Sequence, residues 1–159
     1  MKLSHPVFGA LALLLSSLYV HAEQMPQQSF WQLQTSAYTR HHHDEPDHNN
    51  HQKLVGIEYN DAHAWLYGAA FFRNSFDQSS QYAYFGKRFE NDRLPVYLKV
   101  TGGLLHGYRG EYRDKIPLNR FGVAPAVIPT LGVHIGPATA ELNILGTAAV
   151  MLNIGWRVY

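Results

Sequence analysis

Cysteine is absent from the 159 residues, which excludes a disulfide scaffold, a thiolate zinc site and a thiol nucleophile. An excess of charge of one sign is missing too: 13 Lys+Arg stand against 12 Asp+Glu. That balance offers no basic field for nucleic acid, which is not an expected partner. Long apolar runs are scarce beyond the N-terminus, where the longest, Ala64–Phe72, has nine residues against the roughly 18 a membrane helix needs. Stripes at i, i+3, i+4 and i+7 do not recur either, so a helical bundle is not indicated. What remains is 46% hydrophobic and 13% aromatic, too apolar for a disordered chain.

The first segment, Met1–Ala22, reads as a secretory signal. Lys2 supplies a basic start, Val7–Leu18 an apolar stretch and Val20-His21-Ala22 a small-x-small cleavage site. The run is too short to cross about 30 Å of hydrocarbon, and no basic stop-transfer flank follows. A mature chain from Glu23, forming a single domain over residues 23–159, is expected. Losing Lys2 leaves its acidic and basic side chains equal in number.

Eight segments rich in Tyr, Phe, Val and Leu then alternate with polar connections, predicting an all-β chain. They run Ser29–Arg40, Gln52–Asn60, Ala64–Arg73, Gln81–Phe89, Leu94–Leu105, Gly122–Val133, Ala138–Leu145 and Ala148–Tyr159. The connections after the first, third and fifth are long and polar: His41–His51, Asn74–Ser80 and His106–Phe121. Those after the second, fourth and sixth are tight: Asp61–His63, Glu90–Arg93 and His134–Pro137. Long loops therefore share one end, the rhythm of an eight-stranded antiparallel up-and-down transmembrane β-barrel.

Alternation within the strands is clear, but its sign is open. In the last segment Val150, Leu152, Ile154, Trp156 and Val158 alternate with Met151, Asn153, Gly155, Arg157 and Tyr159. A soluble periplasmic lipid carrier would turn the apolar set inward, whereas a membrane barrel turns it to lipid. Secretion, the aromatic C-terminus Tyr159 and Trp31, Trp65 and Trp156 near strand ends favour the membrane form, where aromatic girdles sit at the interfaces.

Chemistry concentrates in the long loops. His41–His51 holds five of the ten histidines. The spacing matches no closed metal site, so none is assigned, and one imidazole is a candidate general base. Asn74-Ser75 opens the second long loop: a serine hydroxyl becomes nucleophilic when a base takes its proton, and a neighbouring amide can orient a group or stabilise an oxyanion. The topology places His41 and Ser75 at the same end. Pro125 and Pro129 lie within one strand, where missing N–H donors should interrupt the seam to its neighbour and admit an acyl chain sideways. Gly86 would leave room for that chain inside. In the third loop Arg109, Arg113, Lys115 and Arg120 suit phosphate, although a solvated basic loop has the same composition.

The stretch Val123-Ala124-Pro125-Ala126-Val127-Ile128-Pro129-Thr130-Leu131-Gly132-Val133-His134-Ile135-Gly136-Pro137-Ala138-Thr139 resembles the sixth-strand, turn and seventh-strand region of the PagP-type lipid A palmitoyltransferases. Trp65–Phe76 is similar to the stretch in which that family carries an Asp-Ser pair. The resemblance implies an outer-membrane enzyme; acyl transfer of this kind requires no metal or organic cofactor, and a monomer is expected. It would move a palmitoyl chain from a glycerophospholipid donor to lipid A. The family's histidine falls on His41, with His42 and His43 as alternatives, its serine on Ser75, its gap proline on Pro129 and its pocket-floor glycine on Gly86. Its aspartate is replaced by Asn74; Ser36 and Gly146 stand where better-known members have prolines, and Glu23–Gln28 is too short for their N-terminal helix. A non-enzymatic barrel, an adhesin or a lipid-binding structural protein, is the alternative expectation.

Overall fold

A computed structural model describes residues 28–42, 53–119, 121–147 and 149–159. The signal segment Met1–Ala22, the histidine-rich stretch from His43 to His51, and Arg120 lie outside the described residues.

Eight strands form: β1 Phe30–His41, β2 Val55–Asn60, β3 Trp65–Arg73, β4 Ser79–Glu90, β5 Val96–His106, β6 Val123–Ile135, β7 Ala138–Leu145 and β8 Ala149–Val158. Each pairs antiparallel with the next, and β1 closes on β8 from Trp31↔Val158 to His41↔Ala149. The protein is thus a closed eight-stranded up-and-down β-barrel, as the loop rhythm predicts. Closure leaves no edge strand to pair with another chain.

The tight turns show why the strands end where they do. Asp61 Oδ1 accepts the backbone N–H groups of His63 and Trp65 at 2.8 and 2.9 Å. Asn91 Oδ1 likewise accepts those of Arg93 and Leu94, both at 2.9 Å. Side-chain acceptors of this kind reverse the chain by satisfying amides that leave the ladder. The second of them draws Leu94 out of its expected strand. Between β6 and β7 only Gly136-Pro137 remains: Gly136 takes φ +56° and proline fixes the next φ near −65°, a two-residue hairpin turn.

The sign of the alternation is now settled. Phe85, Leu104, Val127 and Trp156 are more than half exposed on the outer wall, while Gln32, Glu58, Arg88, Lys99, Glu141 and Arg157 are buried inside. In water such a wall would be an aggregation surface; in a bilayer it is the lipid-facing belt, and closure satisfies the backbone. The protein has the architecture of a small outer-membrane-type barrel. Trp31, Trp65 and Trp156 sit on the outer wall near the tight-turn end, where Trp31 packs against Tyr59 with ring centroids 5.0 Å apart.

The tight-turn half of the interior is filled by a polar network. Lys99 Nζ lies 2.9 Å from Glu58 Oε2 and 2.9 Å from Glu141 Oε1. Tyr84 donates to Glu58 at 3.0 Å, while Tyr97 and Gln32 donate to Glu141, both at 2.8 Å. Arg88 and Arg157 both reach Glu90 Oε1 at 3.1 Å, and their guanidiniums lie over the Phe30 ring. Three cations thus meet three carboxylates, the condition for keeping charge inside a membrane barrel.

Candidate active site

The loop half of the barrel is open where the other half is filled. A cavity of about 710 Å³ runs from the network floor to the rim, with Leu54, Ala70, Phe72, Leu105 and Ile128 among its apolar lining and His41 and Ser75 at its mouth. The volume falls within the range of about 300–1,000 Å³ typical of ligand sites.

His41 reaches this mouth because of a backbone irregularity. Up to Ser36 the even-numbered residues of β1 face inward, as buried Phe30, Gln32 and Gln34 show. The register then shifts between Ser36 and Tyr38, and the buried residues become Thr39 and His41. A β-bulge of this kind adds one residue and switches the alternation. Without it His41 would share the lipid-facing parity of Trp31 and Leu33. His42 is exposed, so of the two candidate bases among the described residues His41 is the one that turns inward.

Ser75 is held by the turn that follows β3. Asn74, fully buried, accepts the amides of Phe76 and Gln78 on Oδ1 at 2.9 and 3.0 Å, and its Nδ2 donates to Ser80 Oγ at 3.1 Å. The Asn74 backbone amide also donates to Gln78 O at 2.9 Å. This corrects the expectation for Asn74: its carboxamide is committed to shaping the loop that presents Ser75, not to orienting the imidazole. His41 Nε2 and Ser75 Oγ are 2.7 Å apart, a distance suited to proton transfer.

A third group completes the mouth. Tyr108, in the loop after β5, lines the same cavity as His41 and Ser75, and its ring meets that of Phe76 edge-on with centroids 6.2 Å apart. Burial pushes this phenol above its ordinary value. Sequence reading missed Tyr108, one tyrosine among ten in a loop without a motif. It also missed the Glu58–Lys99–Glu141 network, whose members come from three strands that are not adjacent.

The remaining expected site residues divide. Pro125 lines the cavity. Pro129 sits at the end of a ladder: β6 pairs with β5 from Val123 to Val133, but with β7 only from Thr130 to Ile135. The seam beside both prolines therefore has no β7 partner among the described residues. Gly86 requires a correction. It faces inward but does not line the cavity, and a Cβ there would collide with the carbonyl of Val100 and crowd Thr101. Its role is close approach of β4 to β5, while the floor is the charged network. Arg109 and Arg113 are exposed at the loop end, where Gln78 and Arg109 bond reciprocally: Arg109 N donates to Gln78 Oε1 at 3.0 Å, and Gln78 Nε2 to Arg109 O at 3.3 Å.

No protein-family model matches the chain, and no curated protein matches it. Among solved structures, the Yersinia pestis outer membrane protein Ail in a phospholipid bilayer nanodisc is similar over 82% of this chain and 100% of that chain, at 16% identity and a TM-score of 0.45.

Proposed function

We propose that this barrel is an outer-membrane acyltransferase that moves a palmitoyl chain from a glycerophospholipid to lipid A. The observation that carries the reading is the 2.7 Å His41–Ser75 pair at the mouth of an acyl-sized cavity inside a lipid-facing barrel. The substrate identities rest on the sequence resemblance to the PagP-type enzymes. The unpaired seam above Thr130 is the side entrance for the acyl chain. Arg109 and Arg113 stand at the end where lipid A phosphates would be, and guanidinium pairs with phosphate bidentately.

In this reading Ser75 Oγ attacks the ester carbonyl carbon while its proton passes to His41 Nε2. The carbonyl π pair moves onto oxygen. Collapse breaks the bond to the lysophospholipid oxygen, which takes the proton from His41. The acceptor hydroxyl then attacks the acyl-serine, giving its proton to His41, and Ser75 recovers a proton as it leaves. No metal or organic cofactor is required for these steps.

The test is mass spectrometry of lipid A from a strain lacking its own palmitoyltransferase, with this protein expressed and verified in the outer membrane. A gain of one palmitoyl mass is the expected result; no gain from an inserted barrel refutes the activity. The commitment of Asn74 to the turn, where the PagP-type enzymes have an aspartate, favours one other reading: a non-enzymatic barrel that binds an acyl chain without transferring it. Unchanged lipid A together with a reproducibly co-purifying lipid would establish that one.

A further inference from the structure

The loop between β5 and β6 carries an apolar tip that the barrel itself does not cover. Leu118 is 72% exposed and Phe121 93%. Both also hold left-handed backbone, with φ of +61° and +58°. That region crowds a Cβ and is normally left to glycine, asparagine or aspartate. Water exposure and backbone strain would each be relieved by a smaller polar residue. Their coincidence at the same two bulky apolar side chains points to a contact outside the protein.

The tip stands on a fixed base. Phe76, on the neighbouring loop, stacks on Tyr112 with centroids 4.0 Å apart, and Gln78 bonds the Arg109 backbone in both directions. Asn119 Nδ2 donates to the carbonyls of Tyr108 and Arg113 at 3.3 and 2.9 Å, tying the tip to that base. Ile116, Pro117 and Leu118 line the cavity. Phe121 lies two residues before Val123, where the outer wall of β6 begins. From there exposed Val123, Pro125 and Val127 continue the lipid-facing surface along the seam that has no β7 partner among the described residues. The apolar tip thus extends a surface that already meets lipid. Arg109 and Arg113, exposed in the same loop, add cations behind it, the arrangement in which an interfacial segment meets head groups and acyl chains together.

We propose that the tip of this loop is a membrane anchor, with Leu118 and Phe121 seated among the acyl chains of the leaflet that surrounds the loop end of the barrel. The inference needs only the lipid-facing barrel and does not depend on acyl transfer. Its consequence is that the Ile116–Leu118 side of the cavity mouth opens against lipid instead of water.

The experiment uses the full mature barrel in phospholipid nanodiscs, whose two faces are both open to soluble reagents. Leucine methyl groups of the unaltered chain are read by NMR, once with a phospholipid spin-labelled in its acyl chain and once with a soluble gadolinium chelate. The Leu118 methyls are expected to broaden with the spin-labelled lipid, as those of Leu104 on the outer wall should, and to be spared by the chelate. Because the chain has no cysteine, Phe121→Cys and Asp77→Cys can each carry one fluorophore. Asp77, exposed on the neighbouring loop, is the aqueous reference, and iodide should quench the label at Phe121 at least about threefold more weakly. A double variant then discriminates by sign. Asparagine accepts the left-handed φ, so Leu118→Asn/Phe121→Asn relieves the strain while removing the apolar contact. Losing a lipid contact should raise the unfolding equilibrium constant at least about tenfold, measured by urea titration in phospholipid vesicles; a strained turn that meets water would gain stability from the same change. Three results overturn the proposal: a double variant as stable as wild type or more so, Leu118 methyls that the chelate reaches and the lipid label does not, or shielding from both reagents, which means that protein or a second copy of the chain covers the tip.

Discussion

Removing the Lys99 ammonium by Lys99→Met perturbs the barrel floor most informatively. Lys99 is almost completely buried and lies 2.9 Å from carboxylates on β2 and β7 that are themselves almost completely buried. Without it Glu58 keeps Asn60 and Tyr84 as donors, and Glu141 keeps Gln32 and Tyr97. Those bonds cannot offset two uncompensated charges, and breaking a buried ion pair from one side typically costs about 3–5 kcal/mol. Replacing the triad together, Glu58→Gln/Lys99→Met/Glu141→Gln, leaves no orphaned charge and should recover most of that loss. The assay is urea titration of the barrel in phospholipid vesicles, followed by tryptophan fluorescence and by the mobility difference between folded and boiled protein. A single variant that loses less than about 1 kcal/mol, or a triple variant no more stable than the single, would show that the network is solvated filling and not the floor.

Four further outcomes follow from named contacts. His41→Ala and Ser75→Ala should each abolish palmitoylation while the urea midpoint stays near that of wild type, because both lie at the rim and outside the network. Gly132→Val places a side chain where the Tyr97 ring now lies; overpacking of this kind costs about 1–3 kcal/mol, read in the same titration. Val100→Arg puts a charge on the lipid-facing wall, with an expected loss of about 2–4 kcal/mol if that level is the bilayer midplane. Tyr108, whose phenol is raised by burial, ionises more readily in the unfolded chain. Its contribution is therefore full below the ordinary tyrosine value of about 10 and is lost as pH rises through the higher folded value. Stability measured between pH 9 and 11 should fall less in Tyr108→Phe than in wild type.

The strand pattern was legible because a period of two is written directly into which residues are apolar, and turn residues such as Asp61, Asn91 and Gly136-Pro137 mark their own positions. The bounds of β7 match the expected Ala138–Leu145 outright. Meeting of His41 and Ser75 was legible only as a shared end of the barrel. Their 2.7 Å approach depends on the bulge at Ser36–Tyr38, which counting by twos along β1 assigns to the wrong face. Gly86 shows the opposite failure: a missing side chain reads as space, but whether it is space depends on what crosses it, and here the β5 backbone does.

By itself, then, the sequence determined the number of strands, their antiparallel order and the gathering of histidine, serine and arginine in loops at one end, since each of these is local or follows from chain order. Only the tertiary structure decided which face meets lipid, which residues plug the barrel and which histidine reaches Ser75. Those choices depend on side chains brought together from different strands and loops as the sheet closes, and a period-two pattern carries no information about which of its two faces points inward.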